Sequence, residues 1–202
     1  FPISIATGGS GNVYVFGMYC VQKFTSDGVF LTRWGSEGAD DGQFSWPECI
    51  AADTFDNVYV VSEENHRVQK FTSEGVFLAK WGTLGLDNGN FNTPMGIAVD
   101  NSGDVYVADT ENYRIQKFTS SGGFLTKWGK HGYSYAGGEF SSPSGVAVDV
   151  SGNVYVLDRF ARCVQVFEPS VKPIIKQSPT LSILTPTPNQ VFPAGTASTT
   201  LT

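Results

Sequence analysis

The chain of 202 residues has a formal net charge of −6, with 19 acidic against 13 basic residues, and a 41% hydrophobic content that allows a sizeable core. Binding to a phosphate backbone needs clustered Lys and Arg, so this acidic balance disfavours a nucleic-acid surface. No apolar run approaches the roughly 18 residues of a membrane helix, and 23 glycines point to a turn-rich all-β protein.

The chain writes nearly the same pattern four times. The copies open at Pro2, Pro47, Pro94 and Pro143, spaced 45, 47 and 49 residues apart, and three of them close on Trp34, Trp81 and Trp128, spaced 47 and 47. Copy one begins in phase at Phe1-Pro2 and is two residues short at Phe16-Gly17-Met18-Tyr19. Copy two runs from about residue 46 to 92. Copy three, about 93–141, is the fullest: Gly96–Asp100, Asp104–Asp109, Arg114–Thr119 and Gly123–Trp128 are short and rich in Val, Ile, Tyr and Phe. Turn residues separate them, so they predict four strands, with Gly103 and Gly122 at hairpin positions that need a positive φ. One copy is therefore a four-stranded antiparallel meander, and four meanders at a period of 40–50 residues predict β-propeller blades, part of a larger propeller. Copy four, about 142–177, decays after Phe167: Gln177 stands where a fourth Trp belongs, and Pro173 interrupts the outer strand, as in a last blade. Residues 178–202 are Pro- and Thr-rich, the composition of a linker or the start of a further β domain.

The run from Pro94 to Phe118, P-x-G-I-A-V-D-x-S-G-D-V-Y-V-x-D-x-x-N-x-R-I-Q-K-F, with partial copies from Pro47 and Pro143, resembles the NHL repeat over about residues 1–167. The resemblance implies a propeller, commonly six-bladed. It does not imply one activity, because such proteins include binding scaffolds, RNA-binding modules and a few lyases.

Catalytic groups are sparse. A catalytic zinc takes about three protein ligands, whereas His66 and His131 are the only histidines and fall in different loops. There is no Gly-x-Ser-x-Gly elbow. Cys20, Cys49 and Cys163 hold strand positions filled elsewhere by Arg or Gly and read as packing residues, with no disulfide framework. The acidic turns Asp40-Asp41-Gly42 and Asp87-Asn88-Gly89 read as turns rather than calcium loops. No catalytic residue, cofactor or metal ligand is therefore assigned.

In a meander, the first and third connections share one rim, and the second connection and the join to the next blade share the other. The first rim repeats nearly unchanged, while the other varies from copy to copy. There an equivalent position reads Tyr19, His66, Tyr113 and Arg162, with Phe160 nearby and His131, Tyr133 and Tyr135 in the longest join. Large side chains with polar ends suit recognition. The expected function is a non-enzymatic binding or adhesion scaffold in a secreted or cell-surface protein, with a protein or surface glycan as ligand and self-association through exposed blade faces. The rival readings are a fragment of a propeller lyase or lactonase, and an intracellular protein-interaction module.

Overall fold

The computed structural model describes residues 1–133 and 137–169 and the backbone of Pro173 and Ile174; the predicted linker at 178–202 lies outside the described residues. The protein is all-β, with each copy of the repeat folded into its own four-stranded antiparallel sheet. From inner to outer edge, blade one consists of Pro2–Thr7, Val13–Gly17, Cys20–Phe24 and Phe30–Trp34. Blade two consists of Pro47–Ala52, Val58–Ser62, Arg67–Phe71 and Phe77–Trp81. Blade three is Pro94–Val99, Val105–Asp109, Arg114–Phe118 and Phe124–Trp128. Blade four is Pro143–Val148, Val154–Asp158, Cys163–Phe167 and the short Pro173–Ile174, which pairs with Val166 and Phe167. A single 3-10 turn, Thr110–Asn112, is the one helical element among the described residues. Each inner strand lies against the inner strand of the next blade, so the sheets stack in sequence order around one axis as four propeller blades.

On the lower rim, the hairpins work as their residues dictate. The first connection ends in a hydrogen-bonded turn held by an Asp: Asp100 Oδ1 accepts the amides of Ser102 and Asp104, and its Oδ2 accepts the Tyr106 hydroxyl at 3.0 Å. Asp53 with Tyr59 and Asp149 with Tyr155 repeat this arrangement. Blade one has Gly8 at the aspartate's place, and the Tyr14 hydroxyl is buried without a partner. Asp56 reaches over from blade two instead, accepting from the Ser10 hydroxyl and, at 3.3 Å, from the Ser10 amide.

The joins between blades are more ordered than plain connectors. Ser36–Glu37 pairs in parallel with Gln43–Phe44, Lys130–His131 pairs with Glu139–Phe140, and Leu84 bridges Phe91. Each join is caught by a glutamine on the third strand of the blade it enters. Gln69 accepts from the Gly42 amide (2.9 Å) and donates to the Gln43 carbonyl (2.7 Å). Gln116 does the same to Gly89 and Asn90, and Gln165 to Gly138 and Glu139. The next residue in each join is Phe44, Phe91 or Phe140, and all three are fully buried between blades. Burying one such ring contributes roughly 1.5–3 kcal/mol.

The core accordingly lies between sheets. The trailing face of one blade supplies residues such as Tyr14, Phe16, Val21 and Trp34, and the leading face of the next supplies Ile50, Val58, Val60 and Phe71. The same partition recurs at the next two interfaces. The tryptophans are interblade packing residues: Trp34, Trp81 and Trp128 stand 6.1, 5.8 and 5.6 Å from Phe71, Phe118 and Phe167 of the following blade. Two faces have no following or preceding blade among the described residues. Ile5 and Phe30 on the leading face of blade one are 66% and 52% exposed, and Leu157 and Val164 on the trailing face of blade four are 47% and 41% exposed.

Gly75 explains how tightly the blades meet. Its φ is +83°, and a Cβ there would stand 2.6 Å from the ring of Trp34. Gly28, at the same place in blade one with φ +82°, would meet nothing within 4 Å. Ala at positive φ carries a cost of about 1 kcal/mol at either position, and crowding a packed core adds about 1–3 kcal/mol. Gly75→Ala should therefore lower the urea midpoint clearly more than Gly28→Ala, and equal shifts would show that the Trp34 contact is loose.

Candidate binding rim

The upper rim is built from the second connections and the joins. At the tip of each second connection one residue adopts the left-handed conformation, and none of the four is glycine: Tyr19 (φ 63°), His66 (φ 49°), Tyr113 (φ 54°) and Arg162 (φ 54°). Met18, Trp46 and Thr93 on the same rim also have positive φ. Such a conformation costs a non-glycine residue roughly 1–3 kcal/mol and persists only where the surroundings fix it. In blades one to three a join glycine packs against it. Were Gly35, Gly82 and Gly129 to carry a Cβ, it would stand 2.9, 2.8 and 2.7 Å from the carbonyl oxygens of Tyr19, His66 and Tyr113. The tip and the join are thus in backbone contact, and the tip side chain is set on the rim.

These side chains do not form one continuous site. Between blades three and four, Tyr113 stacks on His131 with centroids 4.3 Å apart, and His131 meets Tyr133 edge-on at 5.1 Å, which gives an aromatic cluster with Tyr133 76% exposed. Tyr135, predicted to belong to this group, lies outside the described residues. Arg162 and Phe160 are exposed on blade four, where the Arg159 guanidinium lies 5.5 Å above the Phe160 ring. Tyr19 is half-buried at a shallow cleft of about 350 Å³, lined also by Phe1, Met18, Trp46 and Glu48. His66 is engaged otherwise: its Nδ1 accepts the Thr93 amide at 3.2 Å, so it fastens the tip of blade two to the start of blade three.

Two features of this rim were not legible as such. Glu48, beside Trp46, has its carboxyl pushed up to about 7, first by burial and then by the hydrogen bond and charge of Glu63, with Arg159 acting in the opposite direction. A neutral Glu48 can share a proton with Glu63, whereas two carboxylates repel. The second feature is a guanidinium at the centre of two joins. Arg67 donates to the carbonyls of Ala39, Asp40 and Gln43, and Arg114 donates to those of Leu86, Asp87 and Asn90 at 2.7–2.9 Å. The acidic turns Asp40-Asp41-Gly42 and Asp87-Asn88-Gly89 therefore wrap a side-chain cation, and Asp41 additionally pairs with Lys80 at 2.6 Å. Arg114 also binds Asp109 at 2.6 Å, both buried, and Asp109 is completed by the Asn92 amide, Asn112 and Gln116. Ser62 replaces the aspartate in blade two. In blade four Cys163 replaces the arginine, and Asp158 is satisfied by the amides of Ser141, Ser142 and Ala161. Cys20, Cys49 and Cys163 are all half-buried free thiols. Among the described residues no group of three or more His, Cys, Asp and Glu could hold a metal ion, and no helix is long and apolar enough to cross a membrane.

The family profile described as the NHL repeat matches residues 91–118 and 140–167. No curated protein matches the sequence. Among solved structures, virginiamycin B lyase from Staphylococcus aureus superposes with a TM-score of 0.66 at 16% identity, over 89% of this chain and 56% of the lyase. A streptogramin B lyase superposes at 0.65 and 14%, over 86% of this chain and 53% of that one. The WD40 repeats of RRP9 superpose at 0.68 and 9%, over 86% and 50%. At these identities the likeness is one of fold, and this chain spans about half the length of the structures it matches.

Two outcomes follow from the rim's electrostatics. Because the folded-state pKa of Glu48 is raised above its ordinary value of 4.5, its contribution to stability is full below about pH 4.5 and lost as pH rises through about 7. Urea titrations between pH 4 and 8 should show this decline, and Glu48→Gln should flatten it. Removing Arg114 takes the cation from buried Asp109, which keeps the Asn92, Asn112 and Gln116 donors, and strands three carbonyls, so Arg114→Ala should cost about 3 kcal/mol. Arg67→Ala, which strands carbonyls but no carboxylate, should cost about 1–3 kcal/mol, and a reversed order in chemical denaturation would discount the Asp109 pair.

Proposed function

This chain is built of NHL repeats folded as β-propeller blades, and from that premise we propose that it is a non-enzymatic binding scaffold presenting its upper rim to a protein or surface glycan in a secreted or cell-surface setting. The observation that carries the reading is the contrast between the tips of the second and third connections, with Asp56 the one described non-glycine residue at positive φ on the lower rim. On the lower rim the positive-φ positions of the third connections are Gly28, Gly75 and Gly122, which carry no side chain. The upper rim bears the backbone cost with Tyr19, Tyr113 and Arg162, side chains that offer an aromatic face or a fork of donors. The Tyr113–His131–Tyr133 cluster gathers three mutually inclined aromatic rings with polar edges, chemistry that suits a sugar or a peptide side chain. Placement outside the cell rests on the Pro- and Thr-rich composition of 178–202.

The enzyme reading draws on the likeness to virginiamycin and streptogramin B lyases. In this chain His66 Nδ1 is spent on a backbone amide and His131 sits within an aromatic stack, so neither is paired with an acid or a nucleophile in the contacts it makes. Incubation with quinupristin provides the comparison, and turnover by the full chain would favour the lyase.

The scaffold reading is tested by binding to an immobilised glycan panel and to a panel of cell-surface ectodomains. Tyr113→Ala and Arg162→Ala should each weaken the strongest interaction by tenfold or more. Asp27→Ala and Ser121→Ala on the lower rim should leave it within twofold. Glu74 is a poorer control, because it holds the buried Lys23 at 2.7 Å. Equal losses for both sets, or for neither, would remove the rim from the binding surface.

A further inference from the structure

The sequence holds one Asn-Gly step, Asn88-Gly89, in the join between blades two and three. Asparagine before glycine is the step most open to deamidation, because glycine leaves its amide nitrogen sterically accessible to the preceding carboxamide. Asn88 is exposed, and its carboxamide makes no hydrogen bond among the described residues. The attacking atom is the one the structure ties down: the Gly89 amide donates to Gln116 Oε1 at 3.0 Å, and Gln116 is fully buried. That amide must give up its proton before its nitrogen can attack, so the clip that seats the join also blocks the reaction. The neighbouring copy shows what one product would do. Join one aligns residue for residue with join two, and Asp41 stands where Asn88 stands, followed by Gly42 at φ +80° against +85° for Gly89. Asp41 pairs with Lys80 of blade two at 2.6 Å. Lys127 is the counterpart of Lys80 on blade three, exposed and without an acidic partner among the described residues.

We propose that Asn88 is a modification site, deamidated in water when the Gln116 clip opens, and that its aspartate product pairs with Lys127 as Asp41 pairs with Lys80. The deprotonated Gly89 nitrogen bonds to the Asn88 side-chain carbonyl carbon. The bond from that carbon to the carboxamide nitrogen breaks, and ammonia leaves with the proton that the amide gave up. Water then opens the five-membered succinimide at either carbonyl. Hydrolysis at the side-chain carbonyl leaves an aspartate in an unchanged backbone. Hydrolysis at the main-chain carbonyl leaves isoaspartate, with the chain routed through the side-chain carbons and one atom longer. The first product turns Asp87-Asn88-Gly89 into the Asp-Asp-Gly of join one and ties the join to the outer strand of blade three. The second displaces Gly89 from Gln116, and with it the seat of Phe91, so the same junction is loosened for good.

The test ages the full chain at neutral pH and follows Asn88 by peptide mapping with mass spectrometry, with isoaspartate assayed separately. The urea-unfolded chain sets the unrestrained rate. The folded chain should react at least tenfold more slowly, and Gln116→Ala should recover most of that difference. Gln69→Ala opens the same clip at the preceding junction and controls for general destabilisation; it should leave the Asn88 rate within twofold. In the unaltered chain, the rate across sub-denaturing urea should track hydrogen exchange of the Gly89 amide, a readout that needs no variant. Equal rates in folded and unfolded chains, acceleration by Gln69→Ala as large as by Gln116→Ala, or a rate that ignores Gly89 exchange overturns the gate. The pairing is read in Asn88→Asp, where the introduced carboxyl should titrate at lower pH than it does with Lys127→Ala added, because a nearby cation favours the carboxylate. Equal titrations overturn the pairing with Lys127.

Discussion

The amide clip between a third-strand glutamine and the arriving join is the contact on which the rest of the array depends. A side-chain amide buried between two sheets must have both its donor and its acceptor satisfied or lose about 1–3 kcal/mol for each group left bare. Gln69, Gln116 and Gln165 meet that demand with one backbone amide and one carbonyl separated by a single residue, which fixes where the join lies along the blade. Once it is fixed, the next residue has one place to go, and Phe44, Phe91 and Phe140 fill it. At the first two junctions the Trp then falls over the third-connection glycine, and the inner strand starts in register. The clip is the part that all three junctions share, whereas the arginine hub serves two of them. Blade four shows that a join can be held without a guanidinium, provided the carboxylate below it, Asp158, finds backbone donors of its own.

Much of this architecture was legible in the sequence because its determinants are local. Four strands per copy follow from β-branched and aromatic runs broken by turn residues, and the placement of the rims follows from the alternation of a meander. The packing role of the three tryptophans was readable from their constant phase. What was not readable depends on contacts across 20 or more residues. Gln22, Gln69, Gln116 and Gln165 recur visibly, yet nothing local says that the amide points at a chain segment from the previous blade. The arginine hub was not legible, because most of its partners are backbone carbonyls, which leave no trace in residue identity. The left-handed tips were invisible for the opposite reason: Tyr and Arg in place of Gly, Asn or Asp give no sign of a positive φ. His66 shows the limit of reading a variable rim residue as free for recognition, since its ring nitrogen is committed to the Thr93 amide.

The two rims divide the work. The lower rim is a row of turns, held by an aspartate of their own in blades two to four, in which the same few bonds repeat. The upper rim gives up backbone comfort for side-chain display, with the loss limited in blades one to three by the close approach of the tip carbonyl to a join glycine. A surface built this way can change its chemistry one tip at a time, because the strain is met by backbone contacts that do not depend on which side chain is carried.

The exception in blade one limits how freely the copies can be exchanged. Gly8 stands where the other blades have their turn aspartate, and Asp56 extends from the neighbouring blade to bind Ser10 in compensation. The fit is exclusive, since a Cβ at Gly8 would overlap the Asp56 carboxylate. Near-identical tandem repeats invite unequal recombination, which deletes or duplicates whole units. Here a crossover that separated blade one from blade two would leave a turn without its carboxylate on one side and a crowded carboxylate on the other. Gly8 and Asp56 therefore tie the first two repeats together across a blade boundary, so that a copy of either one placed elsewhere would lose the Ser10–Asp56 contact.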